Sequence, residues 1–251
     1  MRFQSILLSA SALVVLSGAA VAGPTVLFQE SDFEPGSWDA MTPFWSGVPD
    51  GGEVGSVTSD RFSGGNPVNH FMLQQYTMNI PQGVFNVIHA PIIMNGWTHD
   101  PAKGGAIESV AASVFTFPVT DAPDLTSFGG PRLYILQGGG IFMSTAGGNG
   151  WEGFEFDEPA QVRNFDSYTA EDFIQVIPDQ GLDLDSHPDF GGEVMQFAFG
   201  VQLTSTNQGG LGTVTSAIGW DNLSLRMQVV PAPGATALLA CVGLAGMRRR
   251  R

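Results

Sequence analysis

The chain predicts an all-β protein, an antiparallel jelly-roll β-sandwich held between two address segments, and three observations carry that expectation. First, 33 Gly and 16 Pro in 251 residues break the chain into short apolar runs, the pattern of strands joined by turns. Second, no segment keeps the apolar period of an amphipathic helix for more than about two turns. Third, 43% of the residues are hydrophobic and only 14% are charged, which sets the chain apart from disordered compositions and lets it bury a core.

Residues 1–22 form the first element. Met1 and Arg2 precede an apolar run over 6–16, and Ala20-Val21-Ala22 stands before Gly23. This is the layout of a secretory signal peptide, in which Ala20 and Ala22 fit the small pockets of signal peptidase. The run is too short for a comfortable membrane span.

The body, 23–230, reads as one domain. Its clearest strand is 194–203, where Met195, Phe197, Phe199, Val201 and Leu203 alternate with Gln196, Ala198, Gly200 and Gln202, a period of two with one face buried and one exposed. Further strands are expected over 25–29, 70–78, 84–89, 107–117, 132–137, 153–156 and 173–177, and 169–172 reads as a local turn with an N-cap signal. The last run, 218–229, changes phase: Ile218 and Trp220 are apolar on even positions, Leu223, Leu225 and Met227 on odd ones. A bulge at Asp221 or Asn222 lets both sets face the core. The stretch 118–131 reads as a loop. Without helical crossovers the layers should be antiparallel, and an even strand count near eight favours a jelly roll over a propeller.

The C-terminal segment, 231–251, combines Pro231-Ala232-Pro233-Gly234, an apolar run over 235–247, and Arg248, Arg249, Arg250 and Arg251. A helix over the run would be short and hydrophobic, reaching about 20 Å against a hydrocarbon core of about 30 Å. Its arginines belong on the cytoplasmic side, so insertion in the membrane is expected to be transient. This tail resembles the PEP-CTERM sorting signal of bacterial exported proteins, with Ala232 where that family carries Glu. The resemblance implies an exosortase-like sorting enzyme that cuts near Pro231 and Pro233 and passes the protein to the cell surface or extracellular matrix. The only cysteine, Cys241, lies inside the tail, so the body has no disulfide and no thiolate zinc site.

Charge narrows the partners. Of the 10 Lys and Arg residues, Arg2 and Arg248 to Arg251 sit at the ends, leaving five in the body against all 24 acids, a net charge of −19. Such a surface repels phosphate backbones, which excludes nucleic acid as a partner.

Two segments of the body, Ser31-Asp32-Phe33-Glu34-Pro35-Gly36 and Gly219-Trp220-Asp221-Asn222-Leu223-Ser224-Leu225, resemble the first and last strands of jelly-roll, carbohydrate-binding-like domains. The resemblance implies a structural Ca²⁺ shared between the opening and closing motifs, with Asp32, Glu34 and Asp221 as ligands; hard carboxylate oxygens suit that ion. Asp179, Asp183, Asp185 and Asp189 read instead as a solvated loop, since the stretch lacks the turn glycine and terminal glutamate of a calcium loop. Trp38, Trp45, Trp97 and Trp151 fall in or beside loop-like segments, so each is a candidate platform for a sugar ring or a cover on the sandwich edge. Catalysis has little support: His70, His89, His99 and His187 form no H-E-x-x-H motif, and no G-x-S-x-G elbow is present. The sequence is therefore expected to encode an exported, non-catalytic β-sandwich of the cell surface or matrix, whose partners are signal peptidase, a sorting enzyme and extracellular polysaccharide. A lectin-like module is the alternative, and a glycoside-acting enzyme a more distant one.

Overall fold

The computed structural model describes residues 25–45, 53–63, 70–79, 85–118, 126–145, 161–206 and 213–230. Both expected address segments, the strand expected over 153–156, and Trp151 lie outside them. Fourteen strands occur among the described residues: β1 (Thr25–Glu30), β2 (Trp38–Ala40), β3 (Phe44–Trp45), β4 (Glu53–Ser63), β5 (His70–Asn79), β6 (Phe85–His99), β7 (Ala106–Pro118), β8 (Thr126–Gln137), β9 (Gly140–Ser144), β10 (Gln161–Tyr168), β11 (Phe173–Ile177), β12 (Gly181–Asp183), β13 (Met195–Thr206) and β14 (Thr213–Val230). One helical turn, α1 (Pro101–Gly104), is capped by Asp100, and the expected turn at Thr169 is a 3-10 turn with a capping box to Asp172. No helix among the described residues is long and apolar enough to cross a membrane.

All pairings are antiparallel, and the strands form two sheets. The six-stranded sheet runs β10-β7-β14-β5-β4, and β1 also pairs with β14. The eight-stranded sheet runs β12-β11-β9-β8-β13-β6-β2, and β3 also pairs with β6. Strand β14 is the spine of the smaller sheet: β5 pairs with its first half, β1 with its second, and β7 runs along the other side. The phase break resolves as expected from the sequence. The β14–β7 register shifts between Asp221 and Ser224, and Asn222 takes the left-handed conformation at φ 50°. That one extra residue puts Ile218, Trp220, Leu223, Leu225 and Met227 in one core.

The core lies between the sheets, with Met72, Tyr76, Trp220 and Leu225 from the smaller meeting Ile88, Ile92, Phe197 and Phe199 from the larger. A polar stitch crosses it: the buried Gln74 amide on β5 donates to Ala90 O on β6 at 2.9 Å and accepts from the Tyr76 hydroxyl.

Three expectations are corrected. The strand number exceeds eight because several strands, such as β2, β3 and β12, are short pieces of two or three residues. Residues 126–131, expected as loop, continue β8 along β13. On β13 the alternation is incomplete, since Ala198 and Gly200 are buried as well as Phe197 and Phe199. The reason is a second apolar cluster on the outer face of the larger sheet, built from Phe44, Tyr134, Met143, Ile174, Val176 and Ala198.

Candidate functional site

The opening motif folds around its own carboxylates. Just after β1 the chain turns, and Glu30 Oε1 accepts from the backbone N–H groups of Asp32 and Phe33 at 2.9 and 2.8 Å. This holds Phe33 at φ 47° while its ring is fully buried in the core. The turn is then tied to the sheet by Arg61 of β4. Its Nε donates to Asp32 O at 2.7 Å, and a terminal nitrogen lies 3.2 Å from Asp32 Oδ2 and 2.7 Å from Glu34 Oε1. His70, the first residue of β5, places Nδ1 2.7 Å from Asp32 Oδ1. The His70 hydrogen bond, with the charge of Arg61 adding to it, holds the Asp32 carboxyl below its ordinary pKa.

Asp32 and Glu34 are thus brought together as the sequence implied, but around a guanidinium and an imidazole. The first and last strands do meet: β1 pairs with β14 up to Glu30 opposite Leu223. Asp221 is two residues beyond that pair, fully buried beside the bulge, and its Oδ1 accepts from Asn222 N at 2.7 Å. No three His, Cys, Asp or Glu side chains among the described residues cluster in a way that could hold a metal ion. In the other acidic stretch, Asp183 and Asp189 accept from backbone N–H groups two residues on, and so stabilise local turns.

The tryptophans divide by position. Trp97 is not in a loop: it lies on β6 and is buried, stacked on Phe28 and edge-on to Phe199, so its ring is unavailable to a sugar. Trp38 and Trp45 are half-buried on the two short strands along β6, opposite Met94 and Ile88, and both pack against the main core. Six residues of extended β6 separate those partners, which sets the backbones of the two tryptophans about 20 Å apart. The sequence reading missed Arg61 and His70. The signal available for them was charge balance, because a body with five basic and 24 acidic residues leaves each cation surrounded by carboxylates.

No protein-family model matches the chain, and no curated protein matches it. Fold and site together define a class: an all-β protein of two packed antiparallel sheets, whose opening turn is fastened by an ionic cluster.

Proposed function

We propose that the chain is an exported, non-catalytic β-sandwich of the jelly-roll kind, displayed on a bacterial surface or in its extracellular matrix after processing at both ends. The observation that carries this reading is the order of the C-terminal segment, where Pro231-Ala232-Pro233-Gly234, an apolar run and four arginines directly follow Val230. The strongly acidic body supports it, since an excess of negative charge keeps a secreted domain soluble and away from anionic surfaces. The test is to produce the full chain, and a version ending at Val230, in a bacterium that carries the sorting enzyme, and to fractionate the cells. We expect the full chain at the surface or in the matrix and the shortened chain in the periplasm or medium. Equal distribution of the two would remove the role of the tail.

A second reading, binding of extracellular polysaccharide, is favoured by Trp38 and Trp45, which lie only partly buried on one sheet edge. Their separation suits an extended polymer touching both rings. Replacing both with Ala should abolish retention on immobilised polysaccharide; unchanged retention would dismiss it. Calcium at Asp32 and Glu34 would have to compete with Arg61 for the same oxygens. We therefore expect the full chain to melt within about 2 °C with calcium or with chelator, whereas a larger rise would show that the ion displaces Arg61.

A further inference from the structure

The outer face of the larger sheet holds a histidine that neither the ionic cluster nor the proposed export uses. His89 on β6 is fully buried. Phe44 of β3, its opposite partner in the ladder, stacks on it with centroids 5.3 Å apart and planes 15° apart. Its Nδ1 lies 3.0 Å from the Tyr134 hydroxyl of β8, while its Nε2 has no hydrogen-bond partner. From β8, Arg132 adds a positive charge whose field reaches the ring. From β13, Gln202, opposite His89, is neutral and engages Arg132 Nε at 2.8 Å. A proton added to this imidazole meets an apolar cover on one side and a like charge on another.

The cover itself is short, although Trp38 and Trp45 at its ends pack against the main core. Strands β2 and β3 have three and two residues, and both add to the edge of β6. Between and beyond their ladders the segment is held by Met41 N donating to Pro91 O and by Asp179 N donating to Trp45 O, each at 3.0 Å, and by Asn95 Nδ2 donating to Asp39 Oδ2 at 2.8 Å. Short edge pieces with few bonds belong to the low-stability end of a fold.

We propose that residues 38–45 are an acid-released strap: protonation of His89 expels Phe44 and lifts β2 and β3 from the edge of β6. Burial, with Arg132 adding to it, pushes the His89 pKa down to about 3 while the strap is closed. Once the strap opens, a solvated imidazole takes up a proton near its ordinary pKa of about 6.5. The sign follows from that difference. Above about pH 6.5 the ratio of open to closed is constant, and it rises about tenfold per pH unit as the pH falls from there toward about 3. Release bares the backbone N–H and C=O groups of the β6 edge, a template on which another strand can pair.

Hydrogen exchange of the full chain, followed by mass spectrometry at pH 7.5 and 5.0 and expressed as protection factors, tests the strap. Protection of residues 38–45 should fall about 30-fold between these values in the natural chain. Protection of β7, in the other sheet, should stay constant, and in H89F the fall over 38–45 should vanish. If H89F does not fold, H89Q is read in the same way. Unchanged protection in the natural chain, an equal fall in β7, or a fall that persists in the variant would each overturn the proposal.

Discussion

At the scale of single residues, Arg61 links more of the opening turn than any other side chain of the cluster. It touches the carboxylates of Asp32 and Glu34 and the backbone oxygen of Asp32. The carboxylates are 45% and 64% exposed, so each ion pair alone contributes little; the bond to the backbone oxygen is what adds specificity. Urea unfolding of Arg61→Ala should show a loss of about 1–2 kcal/mol, and an unchanged midpoint would mean the cluster is ornamental. Acid should act on the same place. Because the Asp32 pKa is held below its ordinary value, its contribution is complete above about pH 4 and is lost as the pH falls through the lowered pKa. Asp32→Asn should flatten that acid step in a series of melts from pH 5 to pH 2. None of this pairing was legible in the sequence beyond the two carboxylates, since Arg61 comes from a strand about 30 residues away whose polar composition hides its period.

At the scale of elements, the strands that the sequence revealed are those with strong apolar alternation. The expected ranges 25–29, 70–78, 107–117 and 173–177 fall inside β1, β5, β7 and β11. Strand β10 stayed hidden because its pattern is inverted: Val162 is 55% exposed while Arg163 is buried. Trp97 was misplaced for a related reason, since Asn95 and Gly96 read as a loop but form an irregular stretch inside β6, with Gly96 at φ 81°. The bulge in β14 was legible because two apolar phases meet there, and it makes its own prediction. Asn222 at φ 50° occupies a conformation that β-branched residues resist. Asn222→Val should cost about 1–2 kcal/mol in urea, with Asn222→Gly clearly milder; equal costs would argue against a conformational role. Gly200 on β13 is a second such point. A Cβ there would lie 2.6 Å from Ala90 O and 2.7 Å from Pro91 Cα, both backbone atoms, so Gly200→Ala should lower the melting temperature by forcing β13 and β6 apart.

At the scale of the whole molecule, two terms oppose each other. The core between the sheets supplies the cohesion in a body without cysteine, and truncating a central side chain such as Phe197, which is fully buried, to Ala should cost about 3–5 kcal/mol. Against it stands the net charge of −19 over residues 23–230, whose self-repulsion weakens the compact state and is screened by salt. The melting temperature should therefore rise as sodium chloride goes from 10 to 300 mM, and a flat or falling trend would mean that local ion pairs outweigh the overall field. The proposed role depends on the two ends more than on any group in the sandwich. The most direct test is the intact mass of the protein recovered from outside the cells of a bacterium equipped with the sorting enzyme. We predict a chain that has lost residues 1–22 and has been cut near Pro231 to Gly234; a full-length chain confined to the cytoplasm would contradict the account.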